Sequence, residues 1–318
     1  MKVSIIIPNY NGAKYIKECI DSVYNQTYKD YELIVVDNAS MDDSNKIIEE
    51  NYPQIKLIKN NTNTGFSVAV NQGIKTAKGE YVLLLNNDTL AEPTWLEALV
   101  RTIEKDTRIF SVCSKMIRYR EKDKIDDAGD YYTILGWSYK RGDGKSASLY
   151  SKTEEVFSSC AGAAIYRKAI FDEIGYFDEN FFAYLEDMDI SYRAKLNGYK
   201  NIYCGDAEIY HIGSATSGSR YNEFKVKLAA RNNIYLIYKN MPLIQLIINF
   251  IPIFIGCFIK YIYFTRKGLG KAYISGIKEA LYTKHKINKN EFELKNLMYY
   301  IYVEVQLIWN CLKLIGKR

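Results

Sequence analysis

Short apolar runs alternate with helical patterns through the first quarter of the chain. The runs are apolar at consecutive positions, which is typical of strands buried on both faces. Strands of this kind that alternate with helices predict an α/β fold, with a mostly parallel central sheet and helices on both faces. The predicted elements are a strand at 3–7, a helix at 13–24, a strand at 31–37, a helix at 42–50, a strand at 55–58, a helix at 67–77 and a strand at 81–85.

The pattern changes twice further along the chain. Residues 121–150 are rich in Asp, Gly, Lys and Tyr and predict a long irregular segment or a hairpin, of the kind that often forms a lid. A helical stretch follows at 186–197, and residues 241–264 are strongly apolar. We therefore expect an α/β domain over residues 1–238 and a basic, apolar helical region over residues 239–318.

Polar residues cluster directly after three of the predicted strands. In open α/β sheets the ligand lies outside the carboxyl ends of the strands, so these clusters predict one shared crevice. No G-x-G-x-x-G follows the first strand and no G-x-x-x-x-G-K-[ST] occurs, which disfavours a Rossmann dehydrogenase and a P-loop NTPase. The clusters are Asn9-Tyr10-Asn11-Gly12, Asp37-Asn38-Ala39-Ser40 and Asn86-Asn87-Asp88.

Cysteine spacing and the N-terminal sequence indicate the compartment. The six cysteines lie far apart and form no C-x-x-C pair, which argues against a zinc ribbon and a disulfide framework and suits a reducing cytosol. The apolar run at 3–7 is too short for the h-region of a signal peptide. We expect a cytoplasmic protein.

Basic charge is concentrated in the last quarter of the chain. The net charge is +6, yet from Lys239 onward there are 13 Lys and Arg against 4 Glu and no Asp. Nucleic acid and an anionic membrane surface would both attract such a region. Its apolar content favours the membrane, so we expect a peripheral position on the inner face of the cell membrane and no nucleic-acid partner.

Residues 243–259 are borderline for a membrane span, which usually needs about 20 predominantly apolar residues. They carry Gln245, Asn249 and Pro252, and we expect Pro242 and Pro252 to break or kink the helix. The alternative is a core helix that packs on the catalytic domain or on a second subunit. Four flanking cations could attract anionic head groups: Lys260, Arg266, Lys267 and Lys271.

The strand-end carboxylates are candidates for ligand binding. Asp88, next to Asn86 and Asn87, offers the hard oxygen ligands that Mg²⁺ or Mn²⁺ prefers beside substrate phosphates. Asp37 suits either a solvated loop with a helix cap or a carboxylate that accepts from a nucleobase or a ribose. His211 is either structural or an additional metal ligand.

Three carboxylates open the predicted helix at 186–197. Acidic residues in a first turn commonly do no more than suit the helix dipole. The aromatic run 181–184 before them, however, makes an apolar setting in which a carboxylate with a raised pKa could act as a general base. Arg193, four residues after Asp189, is expected to be its ion-pair partner.

These motifs together resemble glycosyltransferase family 2, with the glycosyltransferase-A fold, and within it the rhamnosyltransferase-like branch. The resemblance covers roughly residues 1–238, and the order and spacing of its motifs make it specific. The motifs are 3–12, 35–40, Asn63-Thr64-Gly65-Phe66, Asn71-Gln72-Gly73, 84–88, Cys160-Ala161-Gly162-Ala163, 175–179, 181–189 and His211.

The resemblance implies a role for each matching position. Pro8, Tyr10, Asn11, Asn38, Asn71, Asn86 and Asn87 would border the nucleotide sugar, Asp37 would hold the base, and Gly65 and Phe66 would let the chain pass near base and ribose. Asp88 and His211 would hold Mg²⁺ or Mn²⁺, and Asp187 would be the general base. Asn86 stands where the family's Asp-x-Asp motif usually begins with Asp, which bears on the ribose contact.

The implied activity is an inverting, metal-assisted transfer of a sugar to a hydroxyl of a glycan or of a lipid-linked saccharide. The branch implies dTDP-rhamnose as donor, with UDP-sugars as the alternative, and a role in cell-surface polysaccharide biosynthesis. Two other classes stay open. A nucleotidyltransferase would need a Gly-rich basic phosphate loop, which residues 8–18 do not offer. A non-catalytic sugar-nucleotide-binding protein would have no use for Asp187 and would not hydrolyse the donor.

Overall fold

The computed structural model describes residues 1–213 and 221–315. The strands are β1 Val3–Asn9, β2 Tyr31–Asp37, β3 Lys56–Lys59, β4 Tyr81–Leu85, β5 Thr89–Ala91, β6 Ile109–Arg118, β7 Glu121–Asp127, β8 Asp130–Tyr132, β9 Ser138–Lys140, β10 Glu154–Val156, β11 Ala163–Arg167 and β12 Lys200–His211. The α-helices are α1 Ile16–Tyr24, α2 Ser44–Asn51, α3 Phe66–Thr76, α4 Trp95–Ile103, α5 Lys168–Ile174, α6 Glu186–Leu196, α7 Glu223–Asn240, α8 Leu243–Arg266, α9 Gly270–Thr283 and α10 Leu297–Ile315. Short 3₁₀ helices lie at Ala147–Tyr150, Glu179–Phe181, Lys284–Lys286 and Leu294–Asn296.

The main sheet has the order β10-β12-β6-β11-β4-β1-β2-β3. Strands β4, β1, β2 and β3 run parallel, and β12 runs parallel to β6. Strand β11 is antiparallel to both of its neighbours, β4 and β6. The result is a mixed, mostly parallel sheet with helices on both faces, which confirms the predicted fold class.

Alternate side chains of β1 enter two separate hydrophobic layers. Ile5 and Ile7 pack in one layer with Ile20 of α1, whereas Ile6 packs in the other with Val70 of α3. Because successive side chains of a strand point to opposite faces, a strand covered by helices on both sides must be apolar at every position. This is the physical reason for the continuous apolar runs in the sequence.

The segment 121–150 folds into strands against the main sheet. Strand β7 pairs antiparallel with β6, and β8 and β9 form a separate antiparallel hairpin in which Asp130 faces Lys140. The hairpin alternative is therefore confirmed for 130–140. It places polar side chains beside the carboxyl ends of the central strands, where the predicted crevice lies.

The predicted C-terminal helical region is present and packs against the α/β fold. A third hydrophobic cluster joins Tyr192 of α6 to Tyr235 of α7 and Leu307 of α10. The buried Asp189 of α6 accepts hydrogen bonds from Asn240 at 2.8 Å and from Lys239 at 3.3 Å. These contacts fix the start of the C-terminal region to the helix that carries the predicted base.

Helix α8 is the one described helix that is long and apolar enough to cross a membrane, with a mean hydropathy of 2.1 in its most apolar window, of which 17% is buried. The helix begins directly after Pro242 and continues through Pro252, so the break predicted at Pro252 does not occur. Its buried side includes Gln245 and Asn249, whose amides donate to Glu304 of α10 at 2.7 and 2.9 Å. Helix α8 thus attaches through polar groups and exposes its apolar side chains.

Candidate active site

A cavity of about 1330 Å³ opens at the carboxyl ends of β1, β2 and β4. Helices α7, α8 and α9 and the β8–β9 hairpin complete its walls. The sheet topology therefore brings the predicted strand-end clusters to one place. The cavity is lined by these predicted site residues: Pro8, Tyr10, Asn38, Gly65, Phe66, Asn86, Asn87, Asp88, Asp187 and His211.

Three predicted residues lie outside that lining. The carboxylate of Asp37 is buried and accepts hydrogen bonds from Asn9, Ser40 and Asn45. Asn9 in turn accepts from Asn87 at 2.7 Å, so Asp37 supports the cavity wall from beneath. Its role toward a nucleobase stays a prediction.

The side chains of Asn71 and Asn11 make hydrogen bonds to the backbone of other segments. The buried Asn71 donates to the carbonyl oxygen of Phe177 at 2.8 Å and accepts from the backbone N–H of the same residue at 3.2 Å. Asn11 accepts from the backbone N–H of Met41 at 2.9 Å. Both side chains join segments that border the cavity.

Gly65 allows two loops to meet at the wall of the cavity. Its φ of 87° is favourable only for glycine, and a Cβ there would lie 2.6 Å from the ring of Phe182. The backbone N–H of Phe66 donates to the carbonyl oxygen of Phe182 at 2.6 Å, and Asn38 donates to the Gly65 carbonyl at 3.0 Å. The chain thus approaches another loop closely at Gly65, and its predicted approach to base and ribose stays a prediction.

Asp88 and His211 face one another across a strand pair. Strand β5 pairs antiparallel with the end of β12, which sets His211 opposite Thr89 and its imidazole Nε2 3.4 Å from Asp88 Oδ1. When two ligand atoms each lie about 2.1 Å from an octahedral ion and their bonds to it are at right angles, the two atoms are about 3 Å apart. The pair therefore fits two adjacent positions around a divalent cation, and both residues line the cavity.

Asp126 holds the other side of the imidazole and was not found from the sequence. Its Oδ2 lies 2.8 Å from His211 Nδ1 and 3.1 Å from the ammonium of Lys140. Burial opposes the charged imidazole, but hydrogen bonds to Asp126 and Asp88 outweigh it and raise the pKa of His211 to about 9. A carboxylate on the far nitrogen is the usual support for a metal-ligating histidine.

Asp187 lies at the N-terminus of α6 and faces the cavity. The chain enters this helix through three non-glycine residues with positive φ, Phe182, Tyr184 and Leu185, a strained backbone of the kind that concentrates at functional sites. The carboxylate accepts from the backbone N–H groups of Met188 at 2.8 Å and Ala161 at 3.4 Å. Burial raises the pKa of Asp187 despite these hydrogen bonds, which makes its ionised form a stronger base.

The two acidic neighbours of Asp187 are placed differently. Asp189 is fully buried and pairs with Arg193 at 2.9 Å, which confirms the predicted ion pair. Glu186 also lines the cavity, and burial together with the Asp187 charge raises its pKa to about 8. Asp189 is thus structural, and Glu186 retains its proton near neutral pH.

A second acidic group, absent from the sequence-based prediction, lies beside Asp187. Asp127, Asp130 and Cys160 place their potential ligand atoms within 4.8 Å of one another, and all three line the cavity. Burial raises the pKa of Asp127 to about 6, and burial and the charges of Asp127 and Asp187 raise that of Asp130. A thiol suits soft metals, so for Mg²⁺ or Mn²⁺ the Asp88–His211 pair is the better donor set. Aspartates within an acidic segment give no distinguishing signal in the sequence.

This sheet, with its cavity at the strand ends, is the glycosyltransferase-A fold. The chain belongs to glycosyltransferase family 2, since the family described as "Glycosyl transferase family 2" matches residues 4–175. An uncharacterized glycosyltransferase of Haemophilus influenzae is 35% identical over 144 residues, which cover 44% of this chain and 42% of that protein. The uncharacterized glycosyltransferase YwdF of Bacillus subtilis is 28% identical over 249 residues, 74% of this chain and 85% of that protein.

Solved structures agree on the fold. A mannosyltransferase of Pyrobaculum calidifontis in complex with GDP-Man and Mn²⁺ has a TM-score of 0.55 at 17% identity, over 96% of this chain and 79% of that one. GalNAc-T7 with UDP, GalNAc and Mn²⁺ has a TM-score of 0.61 at 17% identity, over 74% of this chain and 47% of that one. At these identities the likeness establishes the fold alone.

Proposed function

We propose that this chain is an inverting glycosyltransferase that moves a sugar from a nucleoside diphosphate sugar to a hydroxyl of a glycan or lipid-linked saccharide. The observation that carries the proposal is that Asp187 lines the same cavity as the Asp88–His211 pair. A group transfer needs a base for the acceptor hydroxyl and a positive charge for the departing diphosphate. A basic carboxylate and a cation-binding pair on one cavity would supply both. A dehydrogenase or kinase would need different phosphate-binding loops.

We propose that Asp88 and His211 hold Mg²⁺ or Mn²⁺, with Asp126 fixing the imidazole. When bound, the cation would neutralise negative charge on the departing diphosphate. The Mn²⁺ in the mannosyltransferase and GalNAc-T7 structures is consistent with this assignment. The nucleoside would lie along Pro8, Tyr10, Asn38, Gly65 and Phe66.

In the proposed reaction, Asp187 removes the proton of the acceptor hydroxyl. The deprotonating oxygen attacks the anomeric carbon from the face opposite the leaving diphosphate, and a single displacement inverts the configuration. The nucleophile is the acceptor oxygen itself, so no covalent sugar–enzyme intermediate is formed. The apolar surroundings that raise the pKa of Asp187 make it competent for this step.

The donor we propose first is dTDP-rhamnose, from the rhamnosyltransferase-like branch, and UDP-sugars are the second choice. We further propose that residues 1–238 form the transferase domain and that residues 239–318 hold the protein on the inner face of the cell membrane. The exposed apolar side of α8 and the exposed Arg266, Lys267 and Lys271 support that position.

The proposal is tested by following hydrolysis of each sugar nucleotide by NMR with and without Mn²⁺. We expect turnover of one donor in Mn²⁺, loss of turnover in excess EDTA, and loss of metal-dependent nucleotide affinity in Asp88→Ala. Full activity in EDTA would overturn the metal assignment. Failure to turn over any donor in the panel would favour a non-catalytic nucleotide-binding protein.

A further inference from the structure

A carboxylate lies at the contact between helices α8 and α10. Glu304 of α10 accepts hydrogen bonds through Oε2 from the side-chain amides of Gln245 at 2.7 Å and Asn249 at 2.9 Å, which are four residues apart on α8. Both amide side chains are buried, Asn249 completely. Two N–H donors on one oxygen favour the ionised form of a carboxyl group. The contact between the two helices therefore contains a negative charge.

The side chains of the described residues do not supply a countercharge for Glu304. Within residues 1–213 and 221–315, no Lys, Arg or His side chain forms an ion pair with it. Its second oxygen, Oε1, is buried and accepts no hydrogen bond from this part of the chain. An ionised carboxylate is costly to bury alone, so buried charges in proteins are paired or coordinate metals. The position therefore suits a cation that is small enough to enter a buried site.

The neighbours of Glu304 offer further oxygen ligands. Gln245 Oε1, Asn249 Oδ1 and the hydroxyl of Tyr192 on α6 are buried and have no hydrogen-bond partner among the described residues. Because the O and N atoms of an amide are about 2.3 Å apart, both amide oxygens lie within about 5 Å of the carboxylate. Burial and the charge of Glu304 raise the pKa of the Tyr192 phenol, which keeps it neutral. Carboxylate, amide and hydroxyl oxygens are the ligands that hard cations prefer.

We propose that Glu304, Gln245 and Asn249 bind a monovalent metal cation, Na⁺ or K⁺, between α8 and α10. One carboxylate balances one positive charge, whereas a divalent cation would leave an uncompensated charge in a buried site. A water molecule could satisfy the amide oxygens but would not neutralise the carboxylate. None of these three residues lines the large cavity, so the site is separate from the proposed transfer reaction. The bound cation stabilises the packing of α8 on α10.

The test follows thermal unfolding of the full chain in detergent, with EDTA present. NaCl or KCl replaces choline chloride at constant ionic strength, because choline carries the same charge but is too large for a buried site. We expect the melting temperature to rise by about 2 °C for each tenfold increase in Na⁺ or K⁺ once the site is mostly filled. Glu304→Gln, which removes the charge and keeps the shape, should remove this rise. Glu291→Gln, at an exposed glutamate, is the matched control and should keep it.

A second variant and a direct measurement of binding complete the test. Asn249→Leu removes one oxygen ligand and leaves Glu304 in place, and it should lower the affinity for Na⁺ at least about tenfold. The wild type should broaden the ²³Na NMR line, and excess KCl should reverse the broadening. Equal melting temperatures of the wild type in the three salts would overturn the proposal, as would an unchanged salt effect in Glu304→Gln or unchanged Na⁺ affinity in Asn249→Leu. Without EDTA, stabilisation by CaCl₂ or MgCl₂ but not by NaCl or KCl would overturn the assignment to a monovalent cation.

Discussion

Asp126 Oδ2 lies 2.8 Å from His211 Nδ1, and the opposite nitrogen of the same ring faces Asp88 at 3.4 Å. The imidazole is therefore held between two carboxylates, one on strand β7 and one directly after β4. If Asp126 fixes the ring so that Nε2 points into the cavity, its loss should weaken cation binding without removing a ligand.

We predict that Asp126→Ala weakens Mn²⁺ binding by about 10–100-fold, the usual effect of losing the carboxylate behind a ligating histidine. The measurement is calorimetric titration of Mn²⁺ in the presence of UDP. Asp123→Ala, which removes an exposed carboxylate from the same strand, should behave as wild type. Equal Mn²⁺ affinities of the two variants would contradict the role of Asp126.

Asp187→Asn should abolish transfer and leave donor binding nearly intact. The amide keeps the size of the side chain but cannot accept the proton, and general base catalysis typically contributes about 10²–10⁴-fold. Turnover and nucleotide affinity are measured on the same preparation. A variant that retains more than about a tenth of wild-type turnover would exclude Asp187 as the base and direct attention to Glu186.

Glu186→Gln should make the stability of the protein less sensitive to pH. The folded protein keeps the Glu186 proton up to a pKa of about 8, whereas the unfolded chain loses it near 4.5. The unfolded state therefore binds fewer protons between these values, and stability falls as the pH rises through this window. The melting temperature of the Gln variant, relative to wild type, should increase from pH 5 to pH 8 by on the order of 5 °C. A constant difference would mean that Glu186 is ionised in the folded protein.

The exposed side of α8 should bind anionic membranes. Ile247→Asp combined with Phe254→Asp places two charges on side chains that are 67% and 63% exposed, so the fold should tolerate them. We expect co-sedimentation with phosphatidylglycerol vesicles to fall at least about tenfold, because apolar burial and charge attraction both weaken. The control is Leu149→Asp, which changes a 74% exposed residue outside α8. If the double variant sediments like wild type, α8 is better explained as a contact to a second subunit.

The sequence predicted the central strands because each is covered on both faces and is therefore apolar at every position. Strand β2 was predicted with its observed bounds, and the clusters after β1 and β4 lie where the ligand was expected. The motifs predicted Asp88, Asp187 and His211 as site residues, and all three line one cavity in the structure. The sheet topology decides where these residues lie, and the short motifs at the strand ends are enough to predict that topology from the sequence.

The strands β7–β9 and the supporting contacts of the site could not be predicted in the same way. Asp126 differs from its acidic neighbours through its contact with His211, which is 85 residues away in sequence. Lys260, one of the cations expected to attract head groups, also lines the cavity. For Asp126, a long-range contact rather than the local pattern gives the residue its place in the site.

The proposed reaction is a single inverting displacement with Asp187 as base. The most direct measurement is ¹H NMR of the sugar released from the accepted donor in Mn²⁺, recorded before mutarotation, for the wild type and Asp187→Asn. We expect the first sugar released by the wild type to have the anomeric configuration opposite to that of the donor, and the variant to release almost none. Release with retained configuration, or undiminished release by the variant, would contradict it.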